Sequence, residues 1–403
     1  MLIRSFAALT MISAFAAGCG GVSDETSTEA PAEAETTQIA EMDLLQEKLG
    51  AFDKDLADGR YGLVDEVLVQ HKGETVFHFT YDRKYAEIVD LTDVENEPFS
   101  YAHPDWHPYY RDTDLHTIQS ITKSVTSVLI GIAEYEGLLP KVEEALLFDH
   151  IDDKYVKRLD DAGWSAMTIA DLLAMRANIE WDEENYESNE NDTIILEQEQ
   201  EDWVQYVLDK PLIGEPGGAW YYNSGATQLL SAVIEHTTGM SASEYAEARL
   251  FNRLGITDHY WKESPIGLND TLGGLYVKST DLAKFCTLMM SRGLWNDERI
   301  IPEDFVARSI AQSSTLDPSS RYAGYGYKWW LGYKGFGPDN FYGSGYGGQA
   351  LNCAPDEDLT IVLYSWNLPV LGQPDLIRNS NDVITEIHAV IENEIMPLLA
   401  TAE

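Results

Sequence analysis

Cysteine, basic side chains and long apolar runs are all scarce in this chain, and each shortage closes a class of explanation. Three cysteines in 403 residues do not make a disulfide-stapled scaffold, and Cys286 and Cys353 lack the spacing of a metal knuckle. They are expected as two buried free thiols, with a disulfide between them as the alternative in an oxidising compartment. Lysine and arginine number 27 against 68 aspartates and glutamates, a formal charge of −41. Such a surface is repelled by phosphate backbones and anionic headgroups, which argues against nucleic-acid binding and electrostatic membrane docking. The apolar run from Ser5 to Ala17, broken only by Thr10 and Ser13, is too short to span a bilayer. There is no Gly-x-Ser-x-Gly elbow and no His-Glu-x-x-His helix. Gly343-x-Gly345-x-x-Gly348 matches a dinucleotide fingerprint in form, but a short β-rich run ending at Pro355 follows it, where that motif needs a helix. His103 and His107 are four apart, yet Pro104 and Pro108 make their segment a loop and not a metal-holding helix. No metal or cofactor site is expected.

What is present fits an exported globular body. Apolar residues make up 44% and aromatic residues 11% of the chain, enough for a large core. Residues 1–18 carry Arg4, a short apolar stretch and small residues, the pattern of a secretory signal. The ending Phe15-Ala-Ala-Gly-Cys19 resembles the lipobox of bacterial lipoproteins, which implies lipidation at Cys19 and a periplasmic or cell-surface protein that meets the membrane only through that anchor. An ordinary secretory signal with an incidental cysteine is the alternative. Residues 19–40 are read as a disordered acidic tether, because 20–40 hold five acids and no lysine, arginine or aromatic residue.

From 41 to 403 the pattern is sheet, then helices, then sheet. Leu44, Leu45, Leu49, Phe52 and Leu56 predict a first helix, and 64–70 and 75–81 a hairpin. After a Pro- and aromatic-rich loop over about 98–115, an apolar helix is predicted over 120–136, closed by Gly137 and Pro140. Helices follow at 169–175, 203–208 and 227–237, strands at 326–332, 341–346, 349–354 and 359–366, and a terminal helix carries Val383, Ile384, Ile387, Val390, Ile391 and Ile395. The reading is a mixed α/β (α+β) fold. Its antiparallel sheet draws strands from both ends of the chain (41–117 and 259–403) and is flanked by helices, with a mostly helical region, 118–258, inserted.

Ser120 and Lys123 are three apart at the start of the apolar helix, so they share a face about one turn from each other. Serine is a useful nucleophile only with a base beside it, and a lysine amine serves when burial or nearby positive potential keeps it neutral. This is the one Ser-x-x-Lys in the sequence, and its lysine lies on an apolar helix where an unpartnered cation is costly.

Ser120-Ile-Thr-Lys123-Ser124-Val-Thr resembles the active-site helix of the serine β-lactamase and penicillin-binding-protein superfamily. The likeness is to the branch holding class C β-lactamases, D-alanyl-D-alanine peptidases, family VIII esterases and aminohexanoate-oligomer hydrolases. Further segments agree in order: Thr168-Ile-Ala-Asp-Leu-Leu-Ala-Met175, Pro216-Gly217 with Trp220-Tyr-Tyr-Asn-Ser-Gly225, Gly273-Gly274 with Asp281-Leu-Ala-Lys284, Tyr325-Gly-Tyr-Lys-Trp-Trp330, and Gly345-Tyr-Gly-Gly-Gln349. The resemblance implies a β-lactamase/transpeptidase-like fold and an acyl-enzyme on Ser120, with Lys123 and Tyr222 as general base and acid. Tyr222 is the tyrosine of the family's Tyr-x-Asn motif, with Ser224 in place of the asparagine; Tyr221 is the alternative by one residue. The backbone N–H groups of Ser120 and Gln349 form the implied oxyanion hole. The family's third motif, Lys-Thr-Gly or His-x-Gly, is absent. Gly345 to Gln349 takes its place, with Tyr346 where the cation is usual, so a substrate carboxylate loses its partner. Ser224, Trp220, Trp330, Tyr346, Gly347 and Gly348 are the candidate substrate contacts, with Trp329 adding to the aromatic supply, and close backbone approach to a substrate accounts for the glycines.

The sequence departs from the family after Met175, where Arg176-Ala177-Asn178 replaces Thr-Ser-Gly, and again in 180–202, which carries eleven acids and no base. This acidic segment reads as a solvated face, or as a cation-attracting rim of the site. His116 is expected to pack or hydrogen-bond and not to join a catalytic triad. The function expected is an exported serine hydrolase acting on a small-molecule ester or non-β-lactam amide. The alternatives are a true β-lactamase or D-alanyl-D-alanine carboxypeptidase, a catalytically silent envelope-binding lipoprotein, and a cation-scavenging surface protein.

Overall fold

Leu45, Leu49, Phe52 and Leu56 recur every three or four residues and form the buried side of helix α1 (Glu29–Ala57). The helix begins inside the stretch read as a tether. Ala30, Ala32 and Ala34 are strong helix formers, and Pro31 is tolerated in a first turn, so local propensity overrides the acidic composition there. The computed structural model describes residues 29–81, 114–158, 162–183, 190–334, 336–368 and 378–402. The leader, Cys19 and the loop carrying His103 and His107 lie outside the described residues. Among the described residues no helix is long and apolar enough to cross a membrane.

Strands β1 (Val64–His71) and β2 (Glu74–Thr80) pair as the expected hairpin. A two-residue strand β3 (His116–Thr117) leads into a tight 3-10 turn, Gln119–Ile121, and then into α2 (Thr122–Tyr135), which is buried from Thr122 to Ala133. The helical region continues with α3 (Ile169–Leu173), α4 (Asp192–Glu199), α5 (Trp203–Asp209) and α6 (Ser224–Thr238). Each of these four begins at a side-chain cap, Thr168, Asn191, Asp202 and Asn223 in turn. α6 ends at Gly239 in the left-handed conformation, as the sequence predicts.

The chain then returns to sheet through β4 (Tyr260–Trp261), β5 (Leu275–Val277) and helix α7 (Ser279–Met290). Strands β6 (Ser314–Thr315), β7 (Gly324–Tyr325), β8 (Trp330–Leu331), β9 (Phe341–Gly345), β10 (Gln349–Ala354) and β11 (Leu359–Ser365) precede the terminal helix α8 (Ser380–Val390). Among the described residues the main sheet has eight strands in the order β2-β1-β11-β10-β9-β8-β7-β6, so strands from the two ends of the chain meet where β1 pairs antiparallel with β11. The strand predicted over 326–332 shortens to Trp330–Leu331, because Gly326 N–H turns back to the Trp329 carbonyl and Lys328 is left-handed.

Alternate residues of the central strands serve opposite cores. Leu351, Cys353 and Val362 face the helical region, while Ala350, Ala354, Ile361 and Leu363 pack with α1 and with Val383, Ile384 and Ile387 of α8. Cys286 of α7 and Cys353 of β10 meet in the first of these cores and form a disulfide, with Cα atoms 5.2 Å apart. This corrects the expectation of free thiols. Their sequence separation of 67 hid a contact that the packing of α7 on the sheet creates.

Candidate active site

Ser120 stands on the 3-10 turn where β3 gives way to α2. The residue before it, Gln119, is held at φ +50, an uncommon backbone for a non-glycine, by bonds from its N–H and its side-chain amide to Thr117 Oγ1 (3.2 and 3.0 Å). At this position in a helical first turn the Ser120 N–H has no carbonyl of its own helix to reach. Lys123 Nζ donates to Ser120 Oγ over 2.8 Å and to the Leu272 carbonyl over 2.5 Å, and its residue is only 2% exposed. Hydroxyl and amine are therefore in direct contact inside the protein.

Two other elements close on this pair. The segment leading into α6 places the Tyr222 ring 5.4 Å from Lys123 Nζ and stacks it on Trp330. The Tyr221 hydroxyl is turned elsewhere, onto the Trp181 carbonyl, so Tyr222 is the tyrosine beside the amine. On the other side runs β9. It pairs with β8 only through Phe341 and Tyr342, which leaves the outer edge of Gly343–Gly345 without a strand neighbour among the described residues. That edge lies against the Ser120 turn so closely that a Cβ on Gly345 would sit 2.5 Å from the Ile118 carbonyl oxygen.

The third-motif residues divide. Tyr346 lies in the hairpin turn between β9 and β10, and Gln349 stands opposite Gly345 at the head of β10. The Gln349 side chain is bound to the backbone of Ser365, through Oε1 from the N–H (3.1 Å) and Nε2 to the carbonyl (2.5 Å). Gly347 and Gly348 are left-handed, and a Cβ there would strike Leu368 at 2.6 Å and Ser365 Oγ at 2.5 Å. The turn itself thus requires these glycines, where the sequence reading had appealed to substrate approach. Trp329 points into the core against Phe341 and leaves the aromatic supply. Trp220 and Trp330 stay: they stand 5.8 Å apart and line an open groove of about 690 Å³ whose other wall is β6 with Leu316 and Asp317.

His116 hydrogen-bonds Asp65 Oδ2 (3.2 Å) and the Thr117 carbonyl and stacks on Tyr364, the packing role expected of it. Lys328, which the sequence reading passed over, is buried with its Nζ 3.2 Å from Met175 Sδ. Burial, helped by the nearby Lys123 and opposed by Glu183, pushes its ammonium well below the usual lysine range. Among the described residues no three His, Cys, Asp or Glu side chains are placed to hold a metal ion.

A family model, Beta-lactamase, matches residues 51–377, most of the chain and every element just described around Ser120. The chain belongs to the beta-lactamase family. Solved structures with the same fold include a putative 6-aminohexanoate-dimer hydrolase from Bacillus anthracis, 20% identical, covering 84% of this chain and 82% of that one with a TM-score of 0.62. A family VIII carboxylesterase is similar at 16% identity, 87% and 97% coverage and TM-score 0.59. A penicillin-binding protein from Bacillus halodurans is similar at 16% identity, 86% and 98% coverage and TM-score 0.59. Identities this low speak to the fold, a serine-hydrolase fold of the beta-lactamase family.

Within that family frame the acidic segment divides: Glu180, Asp182, Glu190, Glu199 and Glu201 are exposed, as a solvated face requires. Three of its acids are buried with partners and do not form a solvated face. Glu183 accepts from the Ser224 N–H (2.8 Å) and from its hydroxyl, fixing the residue at the usual asparagine position. Asp192 binds the Tyr206 hydroxyl (2.6 Å) and Lys210 (2.5 Å). Glu197 binds Lys262 at 2.8 Å. Charge counting along the sequence averages these residues with their exposed neighbours; only the Trp181, Ile194 and Leu196 interspersed among them hint that the segment is folded in.

Proposed function

We propose that the protein is an exported serine hydrolase that cleaves an ester or a non-β-lactam amide through an acyl-enzyme on Ser120. The observation that carries this reading is the 2.8 Å contact between Lys123 Nζ and Ser120 Oγ. In its neutral form the amine takes the hydroxyl proton as oxygen attacks the carbonyl, and Tyr222, beside it, shares the delivery of a proton to the leaving group. The oxyanion is received by the backbone N–H of Ser120 and that of Gln349, next to the Gly345 edge. Water then attacks the acyl carbonyl, with the same amine and phenol moving the protons.

The groove walled by Trp220 and Trp330 suits an uncharged, apolar acyl or leaving group. Arg176 at its margin is already committed to the carbonyls of Gly217 and Gly218. With tyrosine at the third motif, no cation there pairs with the carboxylate of a penicillin or cephalosporin. Leaving that charge unpaired costs on the order of 10²-fold in kcat/KM. A panel of p-nitrophenyl esters with acyl chains of two to eight carbons, run beside nitrocefin, is expected to give turnover of the esters and at least about 10²-fold less of nitrocefin. Efficient nitrocefin hydrolysis would overturn the substrate assignment.

The address is part of the same proposal. The leader pattern and the Gly18-Cys19 pair support lipidation at Cys19, and the Cys286–Cys353 disulfide suits an oxidising compartment. Labelling of expressing cells with radioactive palmitate is expected to mark the wild type and not Cys19→Ser; equal labelling of both, or of neither, refutes the anchor.

A further inference from the structure

Lys123 Nζ is held from a second direction by the Leu272 carbonyl, and that carbonyl is itself fixed by a buried charge cluster. Leu272 lies in the turn between β4 and β5. Asp270 Oδ1 accepts from the N–H groups of Leu272 (3.0 Å) and Gly273 (2.9 Å), and the Asp270 carbonyl accepts from Trp261 Nε1 (2.7 Å). Asp270 Oδ2 lies 3.9 Å from Lys262 Nζ, which bonds Glu197 at 2.8 Å and sits over the Trp203 ring. Glu197 arrives on α4, from the acidic segment. The side chains of Lys262, Glu197 and Asp270 are at most 7% exposed, so their charges act with little solvent screening.

We propose that Glu197, Lys262 and Asp270 are positioning residues for the catalytic amine, holding the Leu272 carbonyl on Lys123 Nζ and fixing the charge that this amine faces. The inference rests on the reading of Lys123 as the base of Ser120. Two carboxylates and one ammonium leave the trio one negative charge when all three are ionised. The other titratable groups facing it are Lys123 from α2 and Tyr276 from β5, with Tyr260 of β4 beside Tyr276. Burial pushes Glu197 up to about 7, against the pull of Lys262, and raises Asp270 as well. The trio therefore carries its negative charge above about pH 7 and loses it below. The sign of the effect follows: an ionised Glu197 leaves the trio negative beside the Ser120–Lys123 pair, and a protonated Glu197 leaves it neutral.

Glu197→Gln keeps an oxygen that accepts from Lys262 but is neutral at every pH. With no negative charge from that side chain beside the Ser120–Lys123 pair, the acid limb of the Ser120 reaction moves down. The test measures the rate of Ser120 labelling by a fluorophosphonate from pH 5 to 9 for the wild type, Glu197→Gln and Asp270→Asn. The second variant retains Oδ1 for the turn and also removes a charge, so it serves if the first fails to fold. Either folded variant is expected to shift the acid limb down by about half to one pH unit. Limbs that coincide, with the rate merely scaled, overturn the proposal and leave the hydrolase reading intact. A wild type that takes no label overturns that reading, and this inference with it.

Discussion

Replacing Ser120 with alanine is expected to lower kcat/KM by on the order of 10⁴- to 10⁶-fold and to abolish the fluorophosphonate adduct. The magnitude follows from how the site is built. Ser120 Oγ is the oxygen in contact with Lys123 Nζ, and the hydroxyls of Ser124 and Ser224 are engaged elsewhere. Ser124, one turn on, spends its hydroxyl on the Lys328 carbonyl at 2.6 Å, and Ser224 gives its own to Glu183. Stability is expected to change by less than about 0.5 kcal/mol, because the side chain is only partly buried and packs no core. Intact-mass spectrometry after labelling, with a melting curve as the folding control, separates the outcomes. An adduct on the alanine variant, or activity within a hundredfold of wild type, would dismiss Ser120 as the nucleophile. No adduct on either protein would favour an envelope-binding role without turnover.

The second large effect concerns the Cys286–Cys353 bond. It closes a loop over a sequence separation of 67, for which chain entropy gives about 4 kcal/mol of stabilisation through the unfolded state. Cys286→Ala with Cys353→Ala is therefore expected to lower Tm by about 5 °C for a domain of this size. Activity at 25 °C is expected to persist, since the bond joins α7 to β10 and touches neither Ser120 nor Tyr222. Both sulfurs are fully buried, so reductant reaches them only when the core opens. Calorimetry of the oxidised protein and the double variant measures the difference. Alkylation of two thiols in denatured, unreduced protein would show that the bond does not form.

Much of the site was legible because it is local in sequence. The Ser-x-x-Lys spacing works within one helical turn, and the distance from Pro216-Gly217 to Tyr222 is a single short segment. The hairpin of β9 and β10 and the apolar periodicity of α8 were likewise readable from alternation and three-to-four spacing. What stayed hidden depends on contacts between distant segments. Glu183 reaches Ser224 across 41 residues, and the Leu272 carbonyl reaches Lys123 across 149. A backbone carbonyl carries no residue signature, and a buried acid looks like an exposed one until its partner is found. The disulfide escaped for the same reason: its two cysteines become neighbours only after α7 has packed on the sheet.

Helix α1 has a mechanical consequence. It begins at Glu29, and Leu45, the first of the core residues it contributes among those described, lies 16 residues on, about 24 Å along a helix. If Cys19 carries a lipid, the residues between it and Glu29 extend at most about 30 Å. The body that Leu45, Leu49, Phe52 and Leu56 pack into would then lie within about 54 Å of chain of that lipid. Its working volume would be a shell a few tens of ångströms deep, where substrates partitioning at the bilayer surface are most concentrated.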